Sequence, residues 1–361
     1  MALCCLPRTT FAAVIEPYDF KEMSPKVTKY WEPEIALYVA KRFVSEQGLD
    51  DKKVTVKKLN AGASNHFIYL VFIDEQMKFV LKGVGTRKEA ESLLALQNYS
   101  KIPEIEQNPK AAKVTLSKLV NLYQSKHDSN TYYFAILEAA QGKELFKIMT
   151  YELLEHKDIN KLKDVFYSIG QQTGELHKSI VSPDPLISPR DLVSVIHDDF
   201  HPENTFYDLG ATTFSLIDNE SMGDSVANPL PLIREIYGFY EVPIIRWPSE
   251  KIKIDLLKDA DPHDIASIYY EFIIGMASVY QDSEDAKKMY VNSIVELNTM
   301  AIAFLKDRYS ESWMIYPSDK NESHIVWGKF ANVQSGSKLA ELYISKLTII
   351  NEDLKMMGGV S

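Results

Sequence analysis

The sequence predicts an α+β protein in two lobes, a small N-terminal lobe with an antiparallel sheet and a larger, mainly helical C-terminal lobe. Three observations predict it. The chain has 361 residues, more than the ~250–300 at which a single hydrophobic core stops growing. β-rich apolar runs crowd between residues 54 and 138. From residue 158 onward, apolar residues recur at three- and four-residue spacing, the period of a helix with one buried face. The expected division is an N-terminal extension over 1–50, the sheet lobe over 51–138 and the helical lobe over 139–361.

Taken in order, residues 32–47 read as an amphipathic helix, with Ile35, Leu37, Val39, Ala40, Phe43 and Val44 near one face and Gly48 as its stop. Strands are expected over 54–59, 67–73 and 78–83. A small-residue loop, Asn60 to Asn65, separates the first two. A helix is expected from about Arg87 to Gln97; Leu93 and Leu96 share a face with Glu89, and Glu91 sits about 160° further round. Residues 101–112, with Pro103 and Pro109, read as a connection. Two further β-rich runs cover 114–123 and 132–138, and Gly142 permits the turn into the helical part. Helices are then expected over 158–180, 265–280, 286–305 and 339–356, with a polar, aromatic-spotted loop over 308–335. Aromatics such as Tyr237, Trp247, Trp313 and Tyr316 read mainly as core, with some left to line a pocket.

Composition narrows the function classes. A net charge of −10 gives no hint of the basic face of a nucleic-acid binder. It suits a cationic small substrate as well as plain solubility. The two cysteines, Cys4 and Cys5, are adjacent and cannot staple a fold, and no Cys/His set has zinc-ligand spacing. No apolar run approaches the ~20 residues needed to span a bilayer. The first residues lack the basic start of a signal peptide, so a cytoplasmic protein is expected.

The chemistry is concentrated in residues 195–220, VIHDDFHPENTFYDLGATTFSLIDNE. Asp199 is followed five positions later by Asn204, and a short apolar run, Phe214 to Ile217, ends in Asp218. A carboxylate that handles an acceptor hydroxyl, plus an amide oxygen and a second carboxylate as hard donors for Mg²⁺, is the equipment of phosphoryl transfer. His197 reads as a residue that fixes this loop by hydrogen bonding, and Glu203 as solvated.

The pattern His-x-Asp-x-x-x-x-Asn followed by Ile-Asp resembles the aminoglycoside phosphotransferase and choline kinase family, distant relatives of protein kinases. The likeness covers roughly residues 50–240 and implies a two-lobed protein-kinase-like fold that binds ATP and Mg²⁺. By that resemblance Asp199 is the catalytic base, and Asn204 and Asp218 hold the metal. Gly62, Ser64 and Asn65 form the phosphate-covering loop. Lys82 reaches the phosphates with Glu89 as its carboxylate partner and Glu91 as the fallback. Leu137 through Ala140, Glu138 and Ala140 included, present backbone groups to the adenine. The implied reaction is ATP-dependent phosphorylation of a hydroxyl on a small molecule, an aminoglycoside-, choline- or sugar-like alcohol. Two alternatives stay open: a protein or peptide kinase on the same fold, and a catalytically weak nucleotide-binding scaffold. The chain departs from the family at Asp198, where Gly is usual, at Asn219, where an aromatic is usual, and downstream, where Asp224 is the nearest counterpart of a loop-anchoring Asp.

Overall fold

A computed structural model describes residues 21–23, 33–59, 67–84, 90, 93, 114–127, 130–181, 197, 199–218, 236, 238–246, 254–307, 330 and 333–360. The chain is α+β. It divides into two compact units, and one of the chain's passages from the first to the second lies between Ala140 and Gln141.

The first unit is a six-stranded sheet and a helix. The strands are β1 (Lys21–Met23), β2 (Val54–Lys58), β3 (Ile68–Ile73), β4 (Gln76–Val84), β6 (Leu119–His127) and β7 (Asn130–Glu138), in the order β1-β6-β7-β4-β3-β2. Five of them pair antiparallel, while β1 runs parallel to β6, with Lys21 opposite Tyr123. That parallel edge was not expected from the sequence. β3 and β4 turn through Asp74 and Glu75, both at positive φ, 49° and 68°, the conformation a two-residue hairpin turn demands. Asp74 Oδ1 accepts from the Lys53 backbone N–H, holding the turn against β2.

Helix α1 (Pro33–Glu46) lies on this sheet and shares its core, so it belongs with the sheet unit rather than apart from it. Ile35, Ala36, Val39, Ala40, Phe43 and Val44 are buried; Ala36 takes the inward place expected for Leu37. Phe43 meets Phe79 edge-on at 5.0 Å between ring centres. At the helix end, Glu46 accepts from the Tyr123 hydroxyl at 2.8 Å.

The second unit holds a four-stranded sheet and most of the helices. Its strands are β5 (Val114–Leu116), β8 (Lys143–Glu144), β9 (Thr205–Asp208) and β10 (Thr213–Leu216), in the order β5-β10-β9-β8. Its helices include α2 (Leu145–Thr150), α3 (Ile159–Val181), α4 (Leu256–Asp259), α5 (Pro262–Ala277), α6 (Ser283–Asp307) and α7 (Lys338–Gly358). A π-helical turn, Tyr151–His156, joins α2 to α3. Each of the four long helices expected after residue 158 forms, with ends shifted by a few residues. His177 lies inside α3 and is buried.

α3 and α5 come together backbone to backbone. A Cβ added to Gly170 of α3 would sit 2.2 Å from the Phe272 carbonyl oxygen, and one added to Gly275 of α5 would sit 2.3 Å from that of Tyr167. Deeper in the unit, the Tyr240 hydroxyl donates to Asn298 Oδ1, and the Asn298 amide donates to Asn351 Oδ1, each at 2.9 Å. This buried relay ties α6 to α7.

Glu152, in the π-helical turn, is a buried carboxylate with two partners, Lys161 and His156. Lys161 Nζ and His156 Nδ1 both stand 2.7 Å from its oxygens. Burial pushes its carboxyl up, but the two partners outweigh burial and leave it below the ordinary glutamate range.

Two predictions follow from these contacts. Gly275→Ala will lower stability by about 3 kcal/mol through overpacking against α3, read as a fall in the urea midpoint. For Glu152, the folded carboxyl titrates below the unfolded one. Its stabilising effect is therefore complete above pH ~4.3 and is lost as pH falls through the folded value. The gap in urea midpoint between wild type and Glu152→Gln will be full at pH 6 and will close below pH ~4.

Candidate active site

The site is built on a loop and a hairpin of the second unit. Residues 199–204 form the loop, and β9 and β10 form the hairpin that follows it. The hairpin register pairs Thr205 with Leu216 and Thr213 with Asp208. Ile217 N–H donates to the Asn204 carbonyl at 3.0 Å, extending the ladder by one step. Asn204 and Asp218 thus stand at the same open end of the hairpin although 14 positions separate them in the chain.

Asn204 is buried, and its side chain turns back on Asp199. Its Nδ2 donates to Asp199 Oδ2 at 2.9 Å and to the Asp199 carbonyl at 3.1 Å. Both partners accept only, so the amide nitrogen must face them and Oδ1 is the atom left for a cation. Asp199 keeps 54% of its side-chain surface open. Partial burial pushes its carboxyl up, but His201, with Nε2 at 3.5 Å from Oδ1, together with His197 and the Asn204 amide, pulls it below the ordinary aspartate range. It is therefore an open carboxylate at neutral pH.

His197 does what the sequence reading assigns to it. Its Nε2 donates to the Ile217 carbonyl at 2.8 Å, immediately before Asp218. Asp218 is exposed and has φ 61°, in the left-handed region that costs a non-glycine residue energy and recurs at functional sites. Asp tolerates that conformation better than most residues.

Beneath the loop lies a residue the sequence reading missed. Phe200, 2% exposed, stacks on Phe239 at 4.7 Å, and Phe239 stacks on Phe272 at 4.4 Å. The signal was a lone aromatic between Asp199 and His201, two polar residues. Pro202 is tied from the other side, its carbonyl accepting the Phe146 N–H at 3.1 Å. Glu203 differs from expectation: it is half-buried, and burial pushes its carboxyl up.

The remaining expected residues fall elsewhere. Lys82 lies in β4 of the first unit, 5% exposed, opposite Ile68 and Ala135. Glu138 ends β7 in the same unit; its N–H donates to the Lys118 carbonyl and its carbonyl accepts from the Ser117 hydroxyl. Its backbone N–H and carbonyl are thus both engaged. Ala140 is the last residue of that unit's second segment. Gly142 adopts φ 90°, and a Cβ there would lie 2.3 Å from the Tyr207 backbone, so the turn into the second unit needs glycine. Gly62, Ser64, Asn65, Glu89, Glu91, Asp198, Asn219 and Asp224 lie outside the described residues.

Among the described residues, no three His, Cys, Asp or Glu side chains gather in a metal-binding group, and no helix is long and apolar enough to cross a membrane. Mg²⁺ does not need such a cage, because it commonly takes one or two protein oxygens and fills the rest with water and phosphate. Asn204 Oδ1 and the exposed Asp218 residue at the same hairpin end suit that mode. The chain matches no protein-family model and no curated protein.

Phe200→Ala is expected to destabilise the second unit by about 3–4 kcal/mol through the lost ring contacts and the cavity left behind. Phe200→Leu will cost about half as much, measured by chemical denaturation.

Proposed function

We propose that the protein is an ATP- and Mg²⁺-dependent phosphotransferase that acts on a hydroxyl of a small molecule, on a kinase-like arrangement of two lobes. The observation that carries this reading is the hairpin end. An open carboxylate, Asp199, is clamped by the amide of Asn204, whose oxygen is left for a cation at the hairpin end that also carries Asp218. This is the donor set that phosphoryl transfer asks of a protein: positioned oxygens for a metal and one group to orient the acceptor.

In this reading Asn204 and Asp218 would hold Mg²⁺, which offsets charge on the nucleotide phosphates. Asp199 would hold the acceptor hydroxyl by hydrogen bonding and take its proton as the acceptor oxygen gains the phosphoryl group. Its lowered basicity suits orientation first and proton acceptance late in the transfer. His197 would act at one remove, fixing the backbone that presents Asp218. Lys82, with Glu89 as its expected partner, and the loop residues Gly62, Ser64 and Asn65 would bind the nucleotide phosphates.

The test is a screen of hydroxyl-bearing metabolites and antibiotics for Mg²⁺-dependent ADP release. Asp199→Ala should cut turnover by a factor of about 10³ or more while leaving nucleotide binding within about threefold. Asp218→Asn should raise the Mg²⁺ requirement instead. Nucleotide binding without turnover on any acceptor would favour the scaffold alternative, and turnover undiminished in Asp199→Ala would overturn the assignment of the base.

A further inference from the structure

Asp199 has a second neighbour whose placement the chain fixes as firmly as that of Asn204. His201 opens a four-residue turn, His201 to Asn204. The Asn204 N–H donates to the His201 carbonyl at 2.9 Å and closes it. Pro202 holds the second position, where the φ of about −65° set by its ring suits such a turn. The hydroxyl of the buried Thr205 donates to the same carbonyl at 3.0 Å. Two bonds to one carbonyl thus fix the backbone from which the His201 ring projects. The side chain is 12% exposed, and its Nε2 lies 3.5 Å from Asp199 Oδ1. A carboxylate only accepts, so Nε2 is assigned the ring hydrogen. Nδ1 is buried, and among the described residues no partner reaches it, so nothing there competes for the ring or its hydrogen.

We propose that His201 is the positioning residue of Asp199, holding one oxygen of its carboxylate while Asn204 holds the other. Asn204 Nδ2 bonds Oδ2 at 2.9 Å, and His201 Nε2 faces Oδ1. The last side-chain torsion of an aspartate is soft, so a carboxylate held at one oxygen still turns about it. Held at both oxygens it cannot, and the lone pairs left over point in set directions. The contact of 3.5 Å is long for a hydrogen bond, and contacts of this kind in a catalytic loop commonly tighten when substrate arrives. The kinetic side of the inference rests on the phosphotransferase reading, in which a turned carboxylate would misdirect the acceptor hydroxyl. A misplacement of about 1 Å can cost a factor of about 10² in rate. The contact itself does not rest on that reading.

Substitution at His201, with nuclear magnetic resonance of the full-length protein, tests the proposal. Gln carries its N–H donors about as far out as Nε2, Asn only as far as Nδ1, and Phe keeps a ring without a donor. With an acceptor from the hydroxyl screen, His201→Phe and His201→Asn should lower kcat about 30-fold or more and leave both KM values within about threefold, while His201→Gln should come back to within about fivefold of wild type. A role in filling space alone would favour Phe over Gln. The ring nitrogens of His201 should show one tautomer at pH ~8, with hydrogen on Nε2, and a mixture in Asp199→Ala. Asp199 is half exposed, so that variant will fold, and this measurement needs no turnover. A single tautomer released by Asp199→Ala, with no turnover on any acceptor, would support the contact and overturn the phosphotransferase reading. Full kcat in His201→Phe, no recovery in His201→Gln, or a tautomer indifferent to Asp199→Ala would overturn the proposal.

Discussion

The candidate site depends on the side-chain amide of Asn204 bonding both the carboxylate and the carbonyl of Asp199. A six-residue loop has many ways to lie, and fixing it costs backbone entropy of about 1–2 kcal/mol per residue. One amide that holds both a side chain and a main-chain atom five positions away closes the loop into a single geometry. It also sorts the ends of Asn204: nitrogen inward to Asp199, oxygen outward. The same contact lowers the basicity of Asp199 and sets the one atom of Asn204 that can meet a cation, so loop shape and chemistry share a cause.

That clamp would be a hinge if nothing held it from below. Phe200 supplies the floor, because its ring is the first of a stack that continues through Phe239 and Phe272 into α5. Stacked aromatics of this kind bury large area with few rotamers to freeze. The Gly170 and Gly275 approach then holds α5 against α3 so closely that the stack has little room to shift. The loop is thus rigid because the helices under it are, and its polar face is free to stay open to solvent.

Much of this was legible in the sequence, and what was missed has a physical reason. The five antiparallel strands of the first sheet and helix α1 followed from period and composition, since each is long enough to show them. β1, with three residues, carries no period and is fixed only by its distant partner β6. The spacing of Asp199, Asn204 and Asp218 pointed to one site because residue type and separation are chain properties. β9 was not foreseen: the run Thr205–Asp208 is four residues long, and its strand character comes from pairing with β8 and β10. Glu203 read as solvated because the sequence does not reveal what surrounds a loop residue. Gln172 was invisible for the same reason, as a polar residue inside a helix shows its partner only after the hairpin has docked.

The hairpin itself shows how little chain is needed when each end is tied. Two strands of four residues are marginal alone. Here the open end is extended by the Ile217 to Asn204 bond and steadied by His197. The turn is held by Asp208 over its own backbone and by Gln172 from α3. One edge meets β8 just after Gly142, where the backbones come too close for any side chain. The other edge meets β5. With both edges and both ends anchored, bending the hairpin must break a bond at one of four places. The left-handed conformation of Asp218 can persist only under such constraint, because an isolated strand end would relax it. The strain at Asp218 is therefore supported by residues far along the chain, and the carboxylate it presents is positioned by the hairpin as a whole rather than by its immediate neighbours.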